Sequence, residues 1–138
     1  MCGKASVPCG CEGSPDGALR RGAALFNQRA FYAQHEVLED AWRAETGTVR
    51  DLYRGILQVG VGCYHLSRGN YRGACNLLRY GLARLERFEP ACLGVDVSAL
   101  RRDASRALAA LEALGPERLD KFDDRLLPRV AFVAPESA

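Results

Sequence analysis

Long hydrophobic runs, candidate nucleophilic serines and a strong charge of either sign are all scarce in this 138-residue chain. Each shortage closes a class of function. No apolar run reaches the roughly 18 residues that a membrane span requires, and the longest stretch, Leu52 to Leu66, is interrupted by Arg54, Gln58 and His65. The amino terminus, MCGKASVPCGCEG, has no apolar core of the kind a secretory signal needs. A net charge of +2 is too mild to argue for nucleic acid or an acidic membrane. Ser67 is the one serine between residues 15 and 97, and no Gly-x-Ser-x-Gly elbow occurs, so a nucleophilic triad has no support. The expectation is a cytoplasmic protein with reduced thiols and no nucleic-acid or membrane partner.

What is present is helical. The patterning predicts an all-α, single-domain array of about five helices: a flexible Cys-containing tail over 1–14, a helical domain over 15–115, and a short turn with an extended strap over 116–138. Ser14-Pro15 offers a cap and a first-turn proline, with Leu19, Ala23 and Phe26 as an apolar stripe. A second helix is expected over about 30–45. Thr48-x-x-Asp51 reads as a capping-box variant opening a third, which runs to about Arg68. Gly69-Asn70 stops and recaps the chain, and Tyr71, Cys75, Leu78, Leu82, Leu85 and Phe88 stripe a fourth helix, closed by Pro90. A fifth starts at Asp96 or Ser98 and ends at Gly115-Pro116. No stretch alternates well enough to predict a sheet. Leu126 to Val133 is apolar but broken by Pro128, a strap that docks on the bundle or on a second subunit of a homo-oligomer. A weak echo of period 40 relates Phe31, His35, Leu38 and Trp42 to Tyr71, Cys75, Leu78 and Leu82, as two stacked helical hairpins would.

Of the six cysteines, Cys63, Cys75 and Cys92 fall at apolar positions and read as small core residues. Cys2, Cys9 and Cys11 lie in the tail, with a spacing that matches no zinc module.

The chemistry concentrates in His35-Glu36-Val37-Leu38-Glu39-Asp40-Ala41-Trp42. On a helical wheel Phe31, His35, Leu38 and Trp42 share a face, which places His35 within the buried stripe, with Glu39 one turn on as its neighbour. Glu36 falls further round, towards solvent. The third helix is apolar on almost every side except for a strip of Arg54, Gln58 and His65, bordered by Gly55 and Gly62. Buried polar groups need partners, and consecutive helices joined by short loops are antiparallel neighbours, so His35 and Glu39 are expected to meet that strip. Three arrangements fit. One is a structural hydrogen-bond network that fixes helix register. Another is a divalent metal held by His35, Glu39 and His65, with Glu36 as general base. The third is a pocket for a small polar or anionic ligand, anchored by Arg54 with Gln58 and Trp42. A bridged di-iron centre is excluded, because it needs carboxylates from four helices. Arg68, Arg72, Arg79, Arg84 and Arg87 read as a solvated face paired with Glu86 and Glu89, without the aromatic interleaving that single-strand binding uses.

These residues carry a resemblance. From about Leu25 to Leu114 the chain resembles an uncharacterised helical family, domain of unknown function 309. The likeness rests on Phe26-Asn27, Phe31-Tyr32-x-x-His35-Glu36-x-x-Glu39-x-x-Trp42, Gly55-x-x-Gln58, His65, Arg68-Gly69-Asn70-x-x-Gly73-Ala74 and the Leu93-Gly94-Val95-Asp96 turn. The resemblance implies a compact array of about five helices and a motif centred on His35, Glu36, Glu39, Trp42, Gln58 and His65. It implies no activity. The chain departs from the family before the second helix, where Gln28-Arg29 stand in place of a frequent glycine. Two functions of different class follow: a binding or catalytic site between helices two and three, or a non-catalytic interaction module whose polar set is structural.

Overall fold

The computed structural model describes residues 7–133. Five α-helices build it: α1 (Gly17–Asn27), α2 (Phe31–Ala44), α3 (Arg50–Ser67), α4 (Tyr71–Leu85) and α5 (Val97–Leu114). The all-helical architecture expected from the sequence is the one observed. A two-stranded hairpin, β1 (Ala91–Cys92) and β2 (Val95–Asp96), lies between α4 and α5, and short 3-10 turns follow α5. No helix among the described residues is long and apolar enough to cross a membrane.

The caps set the helix boundaries. Asp16, not Ser14, caps α1: its carboxylate accepts from Leu19 N at 2.8 Å and also takes the Tyr53 hydroxyl at 2.5 Å, tying α1 to α3. Burial and that carboxylate push the Tyr53 phenol well above its usual range. Asn70 and Asp96 cap α4 and α5 through Gly73 N and Ala99 N. The Thr48-x-x-Asp51 box does not form. Val49 is the N-cap of α3 without a side-chain bond, and the Thr48 hydroxyl donates instead to the Cys9 carbonyl at 2.5 Å.

α3 is the central helix, packed against α2 on one side and α4 on the other. Gly55 and Gly62 make the α4 contact possible, since a Cβ on Gly55 would lie 2.7 Å from the Leu85 side chain and one on Gly62 would lie 3.2 Å from the Ala74 carbonyl. The core is continuous, running from Leu19 and Phe26 through Leu38, Leu52, Ile56 and Val59 to Leu78, Leu85, Leu100 and Leu111. The sequence reading of α2 needs one correction. Its buried residues are Phe31, Gln34 and Leu38, so Gln34 occupies the heart of the stripe and His35 sits at its edge.

Residues 1–6 and the role of Cys2 lie outside the described residues. Within the expected tail, Cys9 and Cys11 are pinned to the domain. Cys11 forms a disulfide with Cys92, with Cα atoms 4.3 Å apart, and Leu93 N donates to the Cys11 carbonyl at 2.8 Å. The expectation of reduced thiols is therefore corrected at this pair. Cys92 is buried as an apolar position should be, but its sulfur is bonded rather than free, whereas Cys63 and Cys75 are free and buried. Burial pushes the Cys63 thiol up to about 12.

The hairpin also receives the carboxy-terminal strap. Asp96 N donates to Ala131 O at 2.9 Å and Val133 N to Gly94 O at 2.8 Å, while the Asn27 amide both donates to and accepts from the Val130 backbone at 2.9 Å. The strap is docked on its own chain.

Candidate functional site

The α2–α3 face brings part of the expected set together. His35 Nε2 lies 3.1 Å from Glu39 Oε1, and Glu39 Oε2 takes Arg43 Nη2 at 2.7 Å. The His35 and Glu39 side chains remain 28% and 29% exposed, a half-buried pair rather than a core one. A carboxylate accepting at Nε2 puts a proton there, and Nδ1 is buried without a partner. His65 comes from the far end of α3, with Nδ1 3.2 Å from the Asn70 amide nitrogen. The two histidines, thirty positions apart in sequence, line one cavity of about 190 Å³ with Phe31, Tyr32, Val61 and Tyr64. Its rings are in contact: Tyr32 with Tyr64 at 5.6 Å and with His35 at 5.7 Å between centroids.

About two turns along α2 the surface becomes cationic. The guanidinium carbons of Arg50 and Arg54 lie 4.3 and 4.4 Å from the Trp42 ring centroid, within the range of a cation–π contact. Arg50 Nε also donates to the Trp42 carbonyl at 3.3 Å. Among the described residues neither arginine is paired with a carboxylate. Trp42 and Arg54 thus meet as a pair, although Gln58 does not join them.

Gln58 faces α4. Its Oε1 accepts from Arg84 Nε at 3.1 Å, Arg84 Nη1 reaches Asp51 Oδ1 at 2.9 Å, and Arg87 Nη2 takes Asp51 Oδ2 at 2.8 Å. From the sequence, Asp51 is expected in a cap and Arg84 and Arg87 beside Glu86 and Glu89. The structure instead joins all three, from α3, α4 and the 3-10 turn Glu86–Phe88 that follows it. One signal was available: Asp51 and Gln58 are seven residues apart, two helical turns, and so share a face. Gln34 was missed altogether. It is fully buried, donates to the Leu57 carbonyl at 3.4 Å and leaves Oε1 without a partner.

Glu36 is exposed on the outer side of α2. No group of three or more His, Cys, Asp or Glu side chains among the described residues is arranged to hold a metal ion. His35 and Glu39 face one another, while His65 is turned to Asn70. What the α2–α3 face offers chemically is an apolar, aromatic-walled cavity beside an imidazole–carboxylate pair, with a cationic aromatic platform further along.

Comparison with known proteins places this motif. The family model described as domain of unknown function (DUF309) matches residues 19–77, from α1 into α4, and so includes His35, Glu39, Trp42, Gln58 and His65. The chain is also similar to an uncharacterized protein of Aquifex aeolicus (strain VF5), 22% identical over 102 residues, which cover 73% of this chain and 31% of that relative. The chain thus matches under a third of its relative's length.

Proposed function

We infer that this chain is a binding domain whose α2–α3 face takes a small ligand carrying an apolar or aromatic group, with the His35–Glu39 pair shaping the site rather than reacting in it. One observation carries the reading: His35 and His65, from different helices, wall a single cavity with two tyrosines. A volume near 190 Å³ is below that of drug-sized pockets and suits one ring or a short branched chain. The imidazole nitrogen left free by Glu39 is the buried one, so proton exchange with an occupant would require the ring to leave its carboxylate. Trp42 lies seven residues from His35, about 10 Å along the helix, so an acidic substituent on a ligand of that length would meet the unpaired Arg54 guanidinium.

A phenylalkanoate whose carboxylate extends about 10 Å from its ring, such as 7-phenylheptanoate, is a suitable probe. Amide chemical shifts at Tyr32, Tyr64 and His65 should move saturably on its addition, and Tyr64→Ala should weaken the affinity about tenfold, a change of about 1.4 kcal/mol. Unmoved α2–α3 amides, or equal affinity in the variant, would overturn the reading. Stoichiometric divalent metal in the purified protein that disappears in His35→Ala would overturn it in favour of a metal centre.

A further inference from the structure

A second and larger cavity lies on the other side of α3. The geometry points to a separate oxyanion site between α3 and α4, in which Gln58, Arg84 and Arg87 take the carboxylate or phosphate group of a small organic anion and Tyr80 covers its body. The cavity is about 610 Å³, within the usual range for organic ligands, and is lined by Asp51, Gln58, Tyr80, Ala83, Arg84 and Arg87.

Its polar groups are organised in a way that a solvated face does not need. Gln58 is only 7% exposed, and its orientation follows from Arg84, because a guanidinium N–H can only be met by the amide oxygen. The amide nitrogen is therefore the other end. It has no protein acceptor among the described residues, yet it is not sealed in the core. Asp51 spends one oxygen on each arginine, which fixes both guanidinium groups. Arg84 retains Nη2 and Arg87 retains Nη1 with no acceptor among the described residues. Two arginines against one aspartate leave a single net positive charge. The cavity thus combines fork-shaped donors, which suit oxyanions, with an amide donor that has no acceptor among the described residues and one uncompensated charge. Tyr80, 58% exposed, supplies an aromatic wall.

This inference is independent of the α2–α3 reading, because none of its residues lines the His35–His65 cavity. The test is an NMR titration of the full chain at low salt with benzoate, with phenyl phosphate and with neutral benzyl alcohol. Saturable shifts at Asp51, Gln58, Tyr80 and Arg84 are expected with at least one anion, and the stronger of the two identifies the headgroup. Added salt should weaken them. Arg87→Ala, at an exposed position, should fold normally and bind at least tenfold more weakly, and Gln58→Ala should weaken binding without altering the salt dependence. No saturable shift with either anion would overturn the assignment. So would equal shifts with benzyl alcohol, or unchanged affinity in Arg87→Ala.

Discussion

Replacing Cys11 by alanine tests how far the amino-terminal segment belongs to the fold. The Cys11–Cys92 bond links positions separated by 81 residues, enclosing α1 to α4 in one covalent loop. Chain-entropy arguments assign a loop of that size about 4.5 kcal/mol of stabilisation, near the top of the 2–5 kcal/mol lost when native disulfides are removed from small domains. Single domains are stable by only about 5–15 kcal/mol, so the effect should be large. With a urea slope of about 2 kcal/mol/M, the unfolding midpoint of Cys11→Ala should fall by about 2 M relative to the oxidised parent. Cys92→Ala should fall further, because its sulfur is 1% exposed and its loss also leaves a small void. The assay is equilibrium urea unfolding followed by helix signal, with peptide mapping of the parent to show the cross-link. A midpoint shift in Cys11→Ala below about 0.5 M, with the cross-link present in the parent, would refute the reasoning. It would mean that the unfolded chain already holds these segments together.

Three other outcomes follow from the packing. Gly60→Ala should lower stability by about 1–2 kcal/mol despite alanine's better helix propensity, because its Cβ would lie 2.5 Å from Gln34 Cδ in a fully buried site; an unchanged Tm would show that Gln34 can move aside. Arg29→Gly should raise Tm by about 3–8 °C, because Arg29 holds φ 68 in the left-handed region, which costs an L-residue roughly 1–2 kcal/mol; a fall in Tm would show that its bond to the Asp124 carbonyl outweighs that strain. Glu89 is held below the usual carboxylate range by the Ser98 hydroxyl and then by Arg101, so its folded pKa is depressed. Its contribution is therefore complete above the ordinary carboxylate pKa of about 4.3 and is lost as pH falls through the lower folded value. Glu89→Gln should flatten the acid limb of a Tm-against-pH curve, and parallel curves for the two proteins would count against this.

The helices were legible because their apolar stripes repeat over three or more turns, Asn70 announced the cap of α4, and the start of α5 was narrowed to Asp96 or Ser98. The β1–β2 hairpin was not, since strands of two residues cannot display alternation. Its Leu93-Gly94 turn, with both residues at positive φ, was visible only as a turn. The Cys11–Cys92 pairing was hidden for another reason: a buried cysteine and a bonded one occupy the same kind of apolar position. The family resemblance marked Gln28-Arg29 as standing where a glycine is frequent, and the second of the two, Arg29, does adopt a glycine-favouring angle. Between α2 and α3, the two histidines share a cavity wall and Arg54 stacks on Trp42, as their positions on the wheel allowed, but the destination of Gln58 was not legible. Arg54 and Gln58 are only about 40° apart on a wheel, which cannot say where one neighbouring helix ends and the next begins.

That ambiguity arises from the architecture. A helix flanked on two sides has a seam where its neighbours part, and polar residues on that seam can turn either way. In α3, Arg54 turns to Trp42 of α2 and Gln58 to Arg84 of α4, while His65 remains with the α2 cavity. The Gln58 choice satisfies an amide oxygen that would otherwise be desolvated at a cost of about 1–3 kcal/mol. Together with Arg54 on Trp42, that bond ties α3 to a neighbour on each side. The same seam leaves a cavity on each side, because side chains answering a polar partner do not fill space as interdigitating leucines do. Structural networking and ligand binding are therefore not competing accounts of these residues. The pairs that tie α3 to its neighbours also orient the donors and rings that line its two cavities, and the two titrations decide which of the cavities is occupied.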